Sequence, residues 1–334
     1  MPELRKDLVR DAWVVIAKGR ALRPNDFPIN KNGIQFSGNK QVCPFCTGNE
    51  QQTPPEITAY RKENSLPNTP DCDVRTVPNK YSAFNLQEEL IIVSDGINSS
   101  CTGVGQHEVI IETPEHGIEL HDFTVERINL VFNMFKERYI ALANDDRIKY
   151  IQIYKNRGIF AGASLEHSHS QILALPMVPQ VNKGLMKYYQ EESRCLICDM
   201  IEQEMSAQER VIHIGEEFIV ICPYAPRFAY EVWIVPIKHT QHFAEINDSQ
   251  LEELALICQK MLKTLIACLD NPAYNIVINS APVNNGEQEG YHWFMEINPR
   301  LIITAGVEVA TGIYMNPVAP ELAAQLFKEF FESL

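Results

Sequence analysis

Basic residues are scarce in this chain of 334 residues, and long apolar runs are missing from it. It has 29 Lys and Arg against 43 Asp and Glu, which gives a formal net charge of −14. This acidity disfavours broad binding to nucleic acid or to anionic membranes, although a local pocket can still hold a small phosphorylated ligand. No window reaches the roughly 18 apolar residues of a membrane-spanning helix. We therefore expect neither a nucleic-acid partner nor a membrane partner.

The sequence also lacks the apolar N-terminal stretch of a secretory signal, because residues 1–10 are rich in charge. Nine cysteines without an export signal indicate reduced thiols and metal ligation rather than disulfides. These features predict a cytoplasmic protein. Its hydrophobic content of 45% is enough for one large domain or two ordinary ones.

The order of features in the first half of the chain recurs in the second half. Each copy has a C-x-x-C pair, a strand pattern from Glu-Val to a histidine, a long amphipathic helix, and a strand from tyrosine towards a second histidine. These features begin at Cys43, Glu108, Thr124 and Tyr150 in the first copy and at Cys195, Glu231, Ser249 and Tyr274 in the second. We predict an α+β protein of two repeats, each an antiparallel sheet with a packed long helix.

The boundaries of the repeats and helices follow from local signals. The join falls near residues 179–194, which predicts domains at 1–180 and 181–334. The long helices are expected over about 124–144 and 249–269, and a capping box of Ser249 and Glu252 is a possible start of the second. A last helix is expected from Glu321 to Leu334, begun by Pro320.

Two sets of cysteines and histidines have the composition of metal sites. Zn²⁺ favours four tetrahedral nitrogen and sulfur ligands. The first candidate set is Cys43, Cys46, His116 and His167, and the second is Cys195, Cys198, His239 and His292. Competing interpretations are unligated buried thiols, a redox C-x-x-C pair, and His242 in place of His239. We expect two zinc ions per chain.

The segment His-Ser-His-Ser-Gln, residues 167–171, carries the strongest functional signal. Alternation along a strand places its two histidines and its glutamine on one face. Aligning His167 with His292 places Phe294 opposite His169 and Glu296 opposite Gln171. The second copy thus keeps the predicted metal ligand and lacks the other histidine. This asymmetry predicts one chemical site per chain, with His169 as its nucleophile, and a purely structural second metal site.

These residue types suit the transfer of a nucleotide. A neutral imidazole can attack the α-phosphorus and form a nucleotidyl-histidine, which a second phosphate then accepts. Gln171 can donate a hydrogen bond to a phosphoryl oxygen. The small residues from Gly162 to Ser164 permit close approach of the backbone, with the Ser164 hydroxyl as a phosphate donor, although a simple turn explains them equally well.

The chain resembles the galactose-1-phosphate uridylyltransferase branch of the histidine-triad superfamily over nearly its whole length. Besides residues 167–171, the matching segments are Asp-Ala-Trp-Val-Val-Ile (11–16), Cys-Pro-Phe-Cys-Thr-Gly-Asn-Glu (43–50), Val-Pro-Asn-Lys-Tyr-Ser-Ala-Phe (77–84), Thr-Pro-Glu-His (113–116), Asn-Arg-Gly (156–158), Tyr-His-Trp-Phe (291–294) and Gly-Ile-Tyr-Met-Asn-Pro-Val (312–318).

The resemblance implies two histidine-triad-like repeats and a ping-pong transfer through a nucleotidyl-His169, with Gln171 stabilising the intermediate. It also implies a homodimer whose C-terminal segment helps to build the neighbour's hexose-phosphate pocket. Its substrates would be a nucleotide-sugar and a hexose 1-phosphate. The implied contacts are Asn79, Tyr81, Asn156 and Ser164 to the nucleotide and its phosphates, Arg20 and Arg23 to phosphate, and Glu308, Thr311 and Tyr314 in the C-terminal segment.

The base and the acceptor stay open at the level of sequence. The best-known uridylyltransferases carry His-Pro-His-Gly-Gln, whereas the serines here, the second C-x-x-C and the Tyr-x-Asn-Pro-Val ending resemble ADP-glucose phosphorylase-like members. We place transfer of a uridylyl group between UDP-glucose and a hexose 1-phosphate first, and adenylyl transfer to phosphate second. Two further functions are compatible with these residues: a dinucleoside polyphosphate phosphorylase or hydrolase, and a non-catalytic, zinc-stabilised nucleotide-binding module.

Overall fold

The structure, a computed structural model, describes residues 2–17, 43–286 and 288–334. The strands of this part of the chain are β1 (Glu3–Asp7), β2 (Ala12–Ile16), β3 (Thr58–Arg61), β4 (Cys72–Pro78), β5 (Ile92–Asp95), β6 (Asn98–Cys101), β7 (Gln106–Ile111), β8 (Tyr150–Arg157), β9 (His169–Leu175), β10 (Val211–Ile214), β11 (Phe218–Ile221), β12 (Val232–Pro236), β13 (Tyr274–Asn279), β14 (Phe294–Pro299) and β15 (Tyr314–Asn316). The α-helices are α1 (Val125–Ala143), α2 (Lys183–Glu192), α3 (Leu196–Ala207), α4 (Asp248–Cys268), α5 (Gly306–Thr311) and α6 (Pro320–Ser333).

Ten strands form one antiparallel sheet in the order β10-β11-β12-β14-β13-β8-β9-β7-β4-β3. Five strands come from each half of the chain, and their order is mirrored about the central pair β8 and β13. Tyr154 and Val277 face each other at this centre. The internal repeat is therefore a pseudo-twofold arrangement within a single sheet. The predicted α+β class and the two repeats are confirmed.

The long helices of the repeats, α1 and α4, pack on one face of the sheet. Their buried positions recur every three or four residues, which is typical of an amphipathic helix. Ile128, Val131 and Phe135 of α1 share one hydrophobic core with Leu254 and Met261 of α4. Ile172 and Ala174 of β9 enter the same core. Since side chains alternate along a strand, His169 and Gln171 face away from the helices.

The helix limits agree with the expected ones, with one correction at α4. Thr124 caps α1, and its side-chain oxygen accepts a hydrogen bond from the backbone N–H of Arg127. At α4 the capping box consists of Asn247 and Gln250, each of which bonds to the backbone of the other. The predicted box of Ser249 and Glu252 was therefore wrong by two positions. In the described ranges, no helix is long and apolar enough to cross a membrane.

The sheet register corrects the alignment of the two Glu-Val segments. Val109 pairs with Gln171, and Trp233 pairs with the equivalent Glu296, so Glu231 corresponds to residue 107 rather than to Glu108. A shift of one residue moves a side chain to the opposite face of a sheet. Accordingly, Glu108 bonds to Arg138 of α1 at 2.8 Å, whereas Glu231 accepts from the Trp233 indole at 2.8 Å on the other face.

Candidate active site and metal centres

The first set of candidate metal ligands comes together at the N-terminal end of β9, where His167 precedes the strand. The backbone N–H of Cys46 donates to the Cys43 carbonyl at 3.3 Å, which closes the C-x-x-C turn. Cys46 Sγ lies 3.2 Å from His116 Nδ1 and 3.6 Å from His167 Nδ1, and Cys43 Sγ lies 3.8 Å from His167 Nδ1. All four ligand atoms are within 4.8 Å of one another.

These separations fit a tetrahedral metal ion. Bond lengths of about 2.3 Å to sulfur and about 2.0 Å to nitrogen require ligand atoms roughly 3.5 Å apart. His167 Nε2 donates to the Thr113 carbonyl at 2.7 Å, which leaves the Nδ1 lone pair directed at the cysteines. Burial lowers the pKa of His167 to about 4, so the ring is neutral, as a metal ligand must be.

The second set comes together in the same way at the N-terminal end of β14, where His292 precedes the strand. Cys198 Sγ lies 3.4 Å from His239 Nδ1 and 3.5 Å from His292 Nδ1, and Cys195 Sγ lies 3.9 Å from His292 Nδ1. Cys195 is the residue before α3, and Cys198 lies in the first turn of that helix. The positive end of a helix favours thiolates there. His242 instead contacts the Tyr139 hydroxyl at 3.2 Å, so the structure places His239, not His242, with the cysteines.

His169 is the first residue of β9 and is only 6% exposed. Its Nδ1 lies 2.7 Å from the backbone carbonyl of His167 and donates its proton to it. The lone pair is therefore on Nε2. Burial lowers the pKa of His169, which keeps the ring neutral. A neutral imidazole with a fixed tautomer is the form that a nitrogen nucleophile requires.

Phe45 connects the first metal set with His169. It lies inside the C-x-x-C turn, and its ring centroid is 5.3 Å from that of His169 and 6.1 Å from that of His167. The turn that presents the two cysteines therefore packs directly on both histidines. The sequence pattern did not single out Phe45, although its position between the two cysteines was a usable signal.

The Gln171 amide is oriented by two residues from neighbouring strands. His107 Nε2 donates to Gln171 Oε1 at 2.8 Å, and the Tyr154 hydroxyl donates to the same oxygen at 3.1 Å. With Oε1 occupied, the amide nitrogen of Gln171 is the group left to donate to a substrate. Burial lowers the pKa of His107. Neither His107 nor Tyr154 is among the site residues predicted from the sequence, because both contacts depend on strand register.

The loop with Gly162 and Ser164 lies beside the position of His169. Continuing the register of β8 and β9 by one residue places Asn156 opposite His169. Gly162 has a left-handed φ of +85°, and a Cβ there would lie 3.8 Å from Asn156 Nδ2. Asn275 Nδ2 donates to Asn156 Oδ1 and to the Ala161 carbonyl, both at 2.8 Å. The amide of Asn275 thus ties the loop to the sheet, with Ser164 exposed.

The other predicted contacts divide into three groups. Asn79 follows β4 and lies 3.4 Å from His107 Nε2, and Tyr81, which is 86% exposed, donates its backbone N–H to Asn79 Oδ1. Arg20 and Arg23 lie outside the described residues. Glu308 and Tyr314 line a cleft of the second half with Arg227 and Phe228, and Thr311 ends α5.

The chain is similar to known proteins over nearly its whole length. The curated ADP-glucose phosphorylase of Arabidopsis thaliana is 35% identical over 98% of this chain and 93% of the relative. The galactose-1-phosphate uridylyltransferase of Thermotoga maritima is 30% identical over 98% of each chain. A crystal structure of the Arabidopsis ADP-glucose phosphorylase with bound ADP-glucose matches with a TM-score of 0.81 and 33% identity over 98% of each chain.

The family assignment rests on both halves of the chain. The galactose-1-phosphate uridyl transferase N-terminal domain matches residues 2–179, and the C-terminal domain of the same family matches residues 182–317. Together the two matches contain every residue of the first and second metal sets as well as His169 and Gln171. The chain therefore belongs to the galactose-1-phosphate uridyl transferase family.

Proposed function

We propose that this protein is a nucleotidyltransferase that moves a nucleotide from a nucleotide-sugar to a phosphate acceptor through a covalent nucleotidyl-His169. One observation carries the proposal: the His167 carbonyl holds the Nδ1–H of His169 and leaves the Nε2 lone pair on a neutral ring. Family membership and the two relatives named above support the same reaction class.

The transfer takes place in two displacements at one phosphorus. In the first, the Nε2 lone pair of His169 attacks the α-phosphorus of the nucleotide-sugar. A P–N bond forms, the P–O bond to the sugar-phosphate breaks, and the electron pair leaves with the hexose 1-phosphate. In the second, a phosphate oxygen of the acceptor attacks the same phosphorus, the P–N bond breaks, and its electron pair returns to Nε2.

The residues around His169 suit these steps. The His167 carbonyl accepts the Nδ1–H bond, which strengthens as the ring gains positive charge in the nucleotidyl form. The amide nitrogen of Gln171 donates to a phosphoryl oxygen as charge redistributes. Asn156, Ser164 and the backbone at Gly162 contact the phosphates in this proposal, with Asn79 and Tyr81 on the nucleoside side. Arg20 and Arg23 are proposed as further phosphate contacts.

We assign zinc to both Cys₂His₂ sets, since the donor types and their separations fit that ion. A bound Zn²⁺ supplies structural cross-linking there. In the first set this fixes the segment of His167 next to His169, and in the second it stabilises the fold without contact to substrate. Catalysis is assigned to residues 1–180, and residues 181–334 form the structural half. We also propose a cytoplasmic location, because the assigned zinc sites need cysteines that stay reduced.

A uridylyl group is our first choice of nucleotide, with UDP-glucose and a hexose 1-phosphate as substrates. The Thermotoga relative supports it, being named a galactose-1-phosphate uridylyltransferase. Adenylyl transfer from ADP-glucose to phosphate is the second candidate. The 35% identity to a relative named ADP-glucose phosphorylase and the serines at positions 168 and 170 favour it.

We also propose a homodimer. The C-terminal segment exposes Ile302, Ile303, Val307 and Val309, and Val309 is 79% exposed. An apolar surface of this kind is typical of an interface. In the dimer, Glu308, Thr311 and Tyr314 would contribute to the partner's hexose-phosphate pocket. Sedimentation velocity should give a species of twice the chain mass, and substitution of Val309 by Lys should convert it to a monomer.

A substrate panel tests the reaction. The protein is incubated with α-³²P-labelled UDP-glucose or ADP-glucose, each with galactose 1-phosphate or inorganic phosphate. Acid-labile label on the wild-type protein and none on His169→Asn is expected. Undiminished label on His169→Asn, or no label with either nucleotide-sugar, would refute the proposal. Faster cleavage of dinucleoside polyphosphates would point to a dinucleotide phosphorylase or hydrolase, and binding without turnover to a non-catalytic module.

A further inference from the structure

A buried polar cluster lies behind His169, on the face of the sheet that carries the helices. Ser168 and Ser170 flank His169 in sequence, and both hydroxyls donate to the carboxylate of Glu112. Ser168 Oγ is 2.6 Å from Glu112 Oε2, and Ser170 bonds to Glu112 Oε1. Each of these three side chains is at most 1% exposed. One carboxylate therefore holds the residues on both sides of His169.

Lys155 completes the cluster from β8. Its Nζ donates to Glu112 Oε2 at 2.7 Å, to Ser168 Oγ at 2.9 Å and to the backbone carbonyl of His169 at 3.3 Å. Lys155 is 2% exposed and pairs with Ser170 in the sheet. Glu119 adds a second carboxylate, 3.5 Å from Lys155 Nζ and 3.1 Å from Ser168 Oγ. The charge of Lys155 is thus paired, and its third contact is the nucleophile's own backbone.

Stability alone does not explain this cluster. Taking a Lys–Glu pair out of water has a large desolvation cost, and apolar replacements of similar volume are often as stable or more stable. The second repeat contains such a replacement. In the register that pairs Lys155 with Ser170, Ile278 pairs with Met295, and Trp293 stands where Ser168 stands. These three residues are at most 2% exposed and belong to the hydrophobic core.

The cluster is thus polar behind His169 in the first repeat, and the corresponding residues are apolar behind Phe294 in the second. We propose that Lys155, Glu112, Ser168 and Ser170 form a positioning network that fixes the peptide groups on both sides of His169. The network sets the direction of the His167 carbonyl, and this carbonyl sets the direction of Nε2. The inference rests on the proposed function of His169 as nucleophile. A displacement of about 1 Å at such a group lowers the rate by about 100-fold.

The test compares two hydroxyl deletions with a matched control. Ser168→Ala and Ser170→Ala, alone and combined, remove bonds to Glu112. Ser280→Ala removes an equally buried hydroxyl of the second half, which bonds to Phe243 N at 3.0 Å and to the Tyr139 hydroxyl at 3.2 Å. Single-turnover labelling of the protein by nucleotide-sugar, kcat, KM, zinc content and the urea unfolding midpoint are measured for each.

We expect the double variant to lose about 10- to 100-fold in labelling rate and kcat, with KM within about twofold and the zinc content unchanged. Ser280→Ala should shift the unfolding midpoint and leave the labelling rate unchanged. Ser170→Thr, which retains a hydroxyl, should keep more of the rate than Ser170→Ala does. The labelling rates of Ser170→Thr and Ser170→Ala are compared under conditions where their urea midpoints show both to be folded. A difference in rate then reflects positioning of His169 and not loss of folded protein.

Two failures can be told apart. If the wild-type protein takes up no label, the proposed function fails and this inference fails with it. If the wild-type protein is labelled on His169 and the serine variants react as fast as Ser280→Ala, the inference alone is wrong. A loss confined to KM would also contradict it, since the network does not face the substrate.

Discussion

The two repeats of this protein share a scaffold and differ where the first has its candidate active site. Each contributes five strands in mirrored order, one long helix and one Cys₂His₂ set. His169 and Gln171 of the first repeat correspond to Phe294 and Glu296 of the second. Behind them, a polar cluster corresponds to a hydrophobic one. The same arrangement of strands and helices thus accommodates either a polar or a hydrophobic cluster at this place. The difference between the two repeats lies in a few side chains.

The second repeat differs from the first at the position of Gln171, where Glu296 is buried among charged and polar residues. Glu296 accepts from Arg10, from Arg227 Nη2 at 2.8 Å and from Asn279 Nδ2 at 2.8 Å. Arg10 lies in the turn between β1 and β2, 286 residues before Glu296 in the sequence. Burial by itself raises the pKa of Glu296, but the guanidiniums of Arg10 and Arg227 hold it below its ordinary value. An ion-pair cluster that includes Arg10 of the first half thus stands where the first repeat has its candidate site.

Exchanging the residues at the nucleophile position should have the largest effect. His169→Phe gives the first repeat the side chain of the second, and we expect kcat to fall by about 10⁴-fold or more, because the nucleophile is lost. Phe294→His should create no second reactive site, since Glu296 and Arg10 occupy the adjacent space. The measurement is the number of covalent labels per chain. We expect none for His169→Phe and one for Phe294→His. Two labels per chain in Phe294→His would contradict this view of the second repeat.

Glu296→Gln should have the next largest effect, on stability rather than on rate. It removes the carboxylate that Arg227 and the buried Arg10 share, and leaves Arg10 with Asp7 alone. This loss should lower the free energy of unfolding by about 3 kcal/mol. Because the pKa of Glu296 is lowered in the fold, its ion pairs stabilise the protein at neutral pH. Their contribution is lost as the pH falls below about 4.

Urea unfolding of wild-type protein and Glu296→Gln at several pH values measures this effect. The difference in stability should be largest near neutral pH and should shrink in acid. Activity per folded molecule should be unchanged in dilute denaturant-free buffer. A constant difference across the pH range would mean that packing, not charge, accounts for the loss.

Features set by residue type could be predicted from the sequence, and features set by register could not. The Cys₂His₂ sets follow from recognisable spacing, and helix limits follow from periodicity and caps. The slip between Glu108 and Glu231 escaped detection because every residue of β12 is buried. A strand covered on both faces shows no alternation of apolar and polar residues. The contact of Arg10 with Glu296 likewise depends on long-range pairing that no local pattern encodes.

Removing one ligand from each metal set sharpens the comparison through activity. Cys46→Ser and Cys198→Ser should each lose one zinc equivalent and some stability. Only Cys46→Ser should also lower kcat of the folded protein, by about 10- to 100-fold, because Phe45 and His167 connect that set to His169. Zinc analysis and steady-state kinetics at a temperature where both variants are folded provide the measurement. Equal losses of kcat in the two variants would remove the proposed division between a catalytic and a structural site.

The smallest effect concerns the caps of the equivalent helices α1 and α4. Asn247 exchanges two hydrogen bonds with Gln250 at α4, at 2.9 and 3.0 Å, whereas Thr124 accepts one at 3.3 Å at α1. Asn247→Ala should therefore lower the free energy of unfolding by about 1–2 kcal/mol and Thr124→Ala by about 0.5–1 kcal/mol. Neither cap touches the candidate site, so kcat should stay constant in both. Urea titrations under one set of conditions decide the order, and a larger loss for Thr124→Ala would show that tertiary packing, rather than the cap, limits the start of these helices.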